Sequence, residues 1–184
     1  NVSGVAGMSQ EWYEARMFEA SRTNLSTEFE PTLNLGDPST MSNNATYSSW
    51  ALRSGFGRVS YNYDERYLLE ANIRYDLSSR FHKSVRGGWF PSVSAGWRIS
   101  EEQFMSFAKP IVDNLKIRGS WGMLGNQYVG SSDYPYMSVL EAFTSGLSLI
   151  GTSASTGYAP SALANPNLTW EHIKMVNAGV DVAL

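Results

Sequence analysis

The sequence predicts an all-β chain. It reads as a piece of an antiparallel, up-and-down transmembrane β-barrel, with about six long strands, long outer loops and one short periplasmic-side helix near residues 100–108. Three observations carry this reading. Several runs alternate apolar and polar residues at period two, the mark of a sheet with two different faces. The charged residues Arg58, Glu70, Arg74, Asp76, Arg98, Lys116, Arg118 and Asp181 fall on the polar sets of those runs. The runs are also long, about 9–14 residues, where sandwich strands cluster near 5–6 and a tilted membrane strand needs about 9–11.

The elements follow in order. Residues 1–8 read as the end of a strand, and 9–49 as polar and irregular. Within that stretch Glu11–Ser21 fits a short helix carrying Trp12, Ala15, Met17 and Phe18 partly on one face, and Asp37-Pro38-Ser39 is a turn signal. Residues 51–63 form a strand in which Val59, Tyr61 and Tyr63 oppose Arg58, Ser60 and Asn62. Arg53 is out of phase with Arg58, which implies either a β-bulge near Gly55 and Gly57 or a position beyond the apolar band. Asp64-Glu65 reads as a two-residue hairpin turn without the favoured glycine. Strand 66–76 sets Leu69, Ala71, Ile73 and Tyr75 against Glu70, Asn72, Arg74 and Asp76.

After a loop at 77–90, strand 91–100 sets Val93, Ala95, Trp97 and Ile99 against Ser92, Ser94, Gly96 and Arg98. Ser100 and Gln103 have capping-box spacing, so a helix to about Ala108 is expected, stopped by Pro110. Strand 114–122 follows, then a Gly-, Ser-, Asn- and Tyr-rich stretch at 123–169, then strand 170–184. Long connections alternating with short ones give an orientation, because barrels keep long loops outside and short turns in the periplasm. With 64–65 and 101–113 inside, the segments 9–49, 77–90 and 123–169 lie outside. This requires Tyr134–Ile150 to be loop, or a hairpin lying wholly outside the wall.

Composition bounds the function. The net charge of −3 over 184 residues gives no support for nucleic-acid binding. No run approaches the ~18 apolar residues of a membrane helix, and a mean hydropathy of −0.27 suits a barrel that keeps half of each strand in a polar interior. The absence of cysteine removes disulfides and thiolate metal sites. The chain opens and closes on strand-like residues and reads as cut from something larger. The other reading of the same pattern is a soluble all-β glycan-binding module, a sandwich whose aromatic residues form the core. A second sheet packed on the apolar face would favour it.

In this order, the runs RYLLEANIRYDLSSRF, GGWFPSVSAGWRISEE, NLKIRGSWGMLGNQ, NPNLTWE and NAGVDVAL resemble the barrel of SusC/RagA-type TonB-dependent outer-membrane transporters. The similarity spans Ser54 to Leu184, with Leu77 where the family commonly has glycine. The resemblance implies a partial TonB-dependent receptor β-barrel over 1–184, with no plug, no TonB box and an unclosed wall. It implies nutrient import across the outer membrane of a Gram-negative bacterium, of glycans or peptides. The partners it implies are a SusD-like surface lipoprotein, the TonB complex (through other parts of the protein) and outer-membrane lipid.

No catalytic, cofactor or metal signature is present, and the chain does not read as an enzyme. His82 and His172 read as solvated loop or strand-end residues, and Glu101-Glu102 as helix-start carboxylates. The candidate ligand-binding residues are aromatic side chains in segments expected outside: Trp12, Trp50, Trp89, Tyr128, Tyr134 and Tyr136, with Tyr13 and Tyr158 beside them. Their ring faces stack on sugars or peptide side chains. The competing role is packing of loops against one another.

Overall fold

The computed structural model describes residues 1–27, 29, 32–108, 110–130, 132–143, 149–150, 153–154, 157–160 and 163–183. Six long strands form one antiparallel sheet: β1 (Val2–Ser21), β2 (Ser42–Tyr63), β3 (Tyr67–Ser78), β4 (Gly87–Arg98), β5 (Asn114–Asn126) and β10 (Glu171–Ala183). Their spatial order, β1-β2-β3-β4-β5-β10, is up-and-down, and among the described residues β1 and β10 are its edges. The short strands β6 (Leu140–Phe143) and β9 (Gly157–Pro160) pair with each other, as do β7 (Leu149–Ile150) and β8 (Ser153–Ala154). Among the described residues the stretch from 134 to 150 therefore adds no strand to the wall, in line with its reading as loop or hairpin. Leu184, expected at the end of the last strand, lies outside the described residues.

The chain divides into two compact units, residues 1–11 with 51–184, and residues 12–50. The smaller unit corrects two expectations. Glu11–Ser21 is not a helix but the second half of β1, and β2 starts at Ser42 rather than near Trp50. Residues 16–21 are exposed on both faces, so no buried face exists to impose a period-two pattern on the sequence. The turn at Asp37 is real: its carboxylate accepts from the Ser39 N–H (2.8 Å) and hydroxyl (2.7 Å). These bonds hold the Asp37 carboxyl below its usual pKa.

In the larger unit the register from Leu52↔Ser78 to Tyr63↔Tyr67 is uninterrupted, so no bulge separates Arg53 from Arg58 in this ladder. Arg53 instead sits opposite Leu77, at the far end of the strand from the turn, and donates to Gln10 Oε1 at 3.2 Å. The turn holds three residues, not two. Asp64 (φ 51°) and Glu65 (φ 55°) take the left-handed backbone that tight hairpins require. Arg66 N–H closes onto Tyr63 O at 3.0 Å, and the Asn62 side chain accepts from Glu65 N–H at 2.9 Å. The Asn62 bond supplies the local support that glycine would otherwise make unnecessary.

The segment expected as a capped helix is two 3₁₀ pieces, Ile99–Glu101 and Gln103–Ala108. Arg98, not Ser100, takes the N-cap position, with no side-chain capping bond, and the Ser100 hydroxyl is buried without a partner among the described residues.

Register places Tyr67, Leu69, Ala71, Ile73 and Tyr75 opposite Trp97, Ala95, Val93, Pro91 and Trp89, and Val93 opposite Trp121. This face is apolar and open: Ile73 is 49% and Val93 47% exposed. Among the described residues no second sheet covers it, so the sandwich is set aside. The core sits elsewhere, at the end of the sheet away from the 64–66 turn. There Phe81, Phe90 and Trp170 cluster, with Leu52, Val85, Met123 and Val129 against them. Gly125 lets the Phe90 ring lie against the β5 backbone, where a Cβ would collide with it.

Candidate functional site: two faces and two ends of the sheet

The polar face holds several of its charges in local pairs. Arg74 meets Asp76 at 2.7 Å and donates to the Ser54 hydroxyl at 2.7 Å. Arg118 meets Asp181 at 3.2 Å and Arg98 meets Glu65 at 3.3 Å. Glu70 accepts from Ser60 Oγ and Asn72 Nδ2, both at 3.0 Å. A cleft of about 620 Å³ opens on this face, lined among others by Glu70, Ser94, Lys116, Arg118, Ser120 and Asn177. Such a surface stays wet or meets polar groups. Lys174 has the parity of the apolar set and pairs with Met123, one residue beyond the last β4–β5 pair, Ser92↔Gly122.

The apolar face is banded. At the turn end, Tyr61, Tyr63, Tyr67 and Trp97 form a chain of rings with centroids 6.5, 6.3 and 6.4 Å apart. At the other end Tyr75 and Trp89 pair at 4.5 Å. Leu69, Ala71 and Ile73 lie between. Tyr67 and Tyr75 are eight residues apart, about 27 Å along a strand at ~3.4 Å per residue. Allowing for strand tilt, that separation suits the ~25 Å apolar band of an outer-membrane barrel with aromatic girdles at its rims.

The loop end brings distant residues together. Ser78 Oγ donates to Gln127 Oε1 at 2.8 Å, and both residues are buried. Arg80, only 6% exposed, donates to Asp133 Oδ1 at 2.7 Å and Ser132 O at 3.1 Å, and its guanidinium lies 4.9 Å from the centre of the Tyr128 ring. Tyr136 packs edge-on against His82 at 5.7 Å and Tyr134 at 6.1 Å. Trp170 Nε1 donates to Arg86 O at 3.0 Å. Segments 79–86, 127–137 and 163–170 thus form one laced platform.

Of the sequence-selected aromatics, Tyr128, Tyr134 and Tyr136 meet on this platform. Trp12 and Tyr13 lie in β1, and Trp50 in β2; Trp50 is 8% exposed and stacked on Tyr13 at 5.6 Å. Trp89, expected in a loop, belongs to β4 and to the girdle of the apolar face. Tyr158 lies exposed in β9. Sequence reasoning missed Arg80 and Asp133, whose 53-residue separation leaves no local motif. It also misread Glu102. The carboxylate accepts from Tyr67 Oη at 2.7 Å and Trp97 Nε1 at 3.0 Å, so it ties the turn-end girdle together rather than capping a helix.

Comparison with known proteins accounts for this arrangement. The family model described as TonB dependent receptor-like, beta-barrel matches residues 3–184. The TonB-dependent receptor P39 of Formosa agariphila is 33% identical over 186 residues, covering 100% of this chain and 17% of its own length. The TonB-dependent receptor SusC of Bacteroides thetaiotaomicron is 37% identical over 131 residues, 71% of this chain and 13% of SusC. The fold matches the RagAB peptide importer in its closed-closed state with a TM-score of 0.81 at 23% identity, over 98% of this chain and 19% of that one. The chain therefore spans less than a fifth of the length of these relatives. With its strand order, its two-faced wall and these matches, it belongs to the TonB-dependent receptor-like β-barrel family, as a SusC/RagA-type member.

Proposed function

We propose that this chain is part of the barrel wall of an outer-membrane transporter of a Gram-negative bacterium. The transporter imports glycans or peptides, is energised through TonB and works with a SusD-like lipoprotein. The observation that carries the reading is the two-faced sheet. Its apolar face is open between two aromatic girdles, and its other face holds paired charges and hydrogen-bonding side chains. An Arg or Lys on the lipid side near the midplane costs roughly 2–4 kcal/mol, and in β3 and β4 the aliphatic stretch between the girdles carries none. Lipid on one side and a polar lumen on the other is the environment that this segregation suits. The 64–66 turn and the 99–113 connection then face the periplasm, and the laced platform faces outward.

On that platform Tyr128, Tyr134 and Tyr136 are the proposed ligand contacts. Tyr128 is exposed and its position is fixed from beneath by Arg80, so little freedom is lost when a sugar ring or a side chain stacks on it. The RagAB peptide importer, as named, supports the peptide class, and the glycan class rests on the ring faces these tyrosines offer. The test is uptake of labelled oligosaccharide and oligopeptide pools by cells that do or do not carry the complete protein. Deletion should abolish uptake from one pool. Restoration should need both the protein and a working TonB complex. Unchanged uptake from both pools after deletion would refute the transporter reading.

A further inference from the structure

The connection between β4 and β5 exposes three large apolar side chains that a barrel wall does not require. Phe104 is 59%, Phe107 78% and Ile111 72% exposed, all within eight residues. A polar turn facing water has no reason to carry them, and such a grouping marks a contact surface. Glu102 settles which side of the sheet this segment is laced to. Its carboxylate holds the Tyr67 hydroxyl and the Trp97 indole, and register puts those two rings opposite each other on the apolar face. At the segment's other end, Asp113 N–H donates to Ala183 O at 2.9 Å, which anchors the return into β5. The segment that carries the apolar patch is therefore tied to the turn-end girdle.

We propose that Phe104, Phe107 and Ile111 form a lipid-binding foot. In this arrangement Phe104, Phe107 and Ile111 enter the interfacial layer of the membrane beside the girdle, while Glu102 and Arg66 stay at headgroup level. Arg66 lies 3.8 Å from the Glu102 carboxylate, so both members of the pair share the polar side of that boundary. The occupant is phospholipid rather than a protein partner because the patch extends a belt of amphipathic rings that suits the membrane–water interface. The inference rests on the wall reading above. It adds that the wall is held at a set depth by a segment outside its strands.

The test uses the complete protein in phospholipid nanodiscs, without other cysteines, with one nitroxide at Phe107→Cys, Val93→Cys or Ser94→Cys. Collision rates with oxygen, which concentrates in lipid, and with a water-soluble nickel chelate give the depth of each label. The expected oxygen-to-nickel ratio is highest at 93 and lowest at 94. At 107 it should be several-fold above that at 94. A water-like ratio at 107 with a lipid-like ratio at 93 would remove the foot and leave the wall standing. Shielding of 107 from both reagents would show a protein contact and also overturn the proposal. A water-like label at 93 would refute the wall reading itself. Ile111→Cys supplies the same reading should Phe107→Cys fail to assemble.

Discussion

The turn end and the loop end of the sheet are built from the same materials, aromatic rings and charged groups, and use them in opposite ways. At the loop end the rings go inside: Phe81 is fully buried, with Phe90 and Trp170 around it. Arg80 is buried beside them, with Asp133 and Ser132 taking two of its donors. At the turn end Tyr63, Tyr67, Trp97 and Phe107 stay exposed, and the charged Glu102 works at the surface to align Tyr67 and Trp97. A platform that must hold its shape in water needs its own core and partners for its buried polar groups; here Arg80 Nε and Arg86 Nε are the exceptions among the described residues, together with Ser100 Oγ at the turn end. A rim that meets lipid needs its rings outward and its backbone already paired by the strand ladder.

The comparison breaks most readily at Phe81. Phe81→Ala should cost about 3–5 kcal/mol, the usual loss for a large aromatic removed from a full core. In the complete protein this should appear as early protease nicking in segments 79–86 and 127–137, while the turn end stays resistant. A uniform loss of resistance at both ends would mean that they are not independent. The middle of the wall supplies the next contrast. Ile73→Arg should cost roughly 2–4 kcal/mol and reduce assembly in the membrane, whereas its neighbour Asn72→Arg, on the polar face, should be tolerated. Equal assembly of the two variants would contradict the assigned faces.

Legibility of the sequence follows the same physical divide. Strands β3 and β4 could be read because each residue there meets one of two unlike surroundings, so Leu69, Ala71 and Ile73 alternate cleanly with Glu70, Asn72 and Arg74. The second half of β1 could not. Its residues from Arg16 to Ser21 are exposed on both faces, and an element without an inside writes no period into its sequence. The loop aromatics were legible as residues but not as a site. Tyr128 matters through Arg80, 48 positions away, and Trp50 is withdrawn by Tyr13 from across a hairpin. Such pairings arise only when the strand order brings their segments together.

Arg80→Ala tests that pairing directly. It removes one partner of Asp133 and the cation beneath Tyr128, at an expected cost of about 2 kcal/mol, less than for a fully buried pair because Asp133 is partly exposed. The loss should be local. Hydrogen exchange should rise in 127–137 and not in β3, and uptake should weaken through KM if Tyr128 contacts the ligand. Arg80→Lys should recover the charge but not both hydrogen bonds, giving an intermediate effect.

The smallest expected effect lies at Glu102, and it separates the two ends by pH. Hydrogen bonds from Tyr67 and then Trp97 hold the Glu102 carboxyl below its usual pKa. A carboxyl lowered in the folded state stabilises it above the ordinary glutamate range and loses that contribution as pH falls through the lowered value. Stability of the turn end should therefore be flat from pH ~8 to ~6 and decline below pH ~4. Glu102→Gln keeps an acceptor for the two donors but cannot titrate, so the variant should be slightly weaker at neutral pH and lack this part of the decline. Exchange of the Trp97 indole proton reads the effect at its source. An identical pH profile in the variant would show that the turn-end girdle is held by ring packing alone.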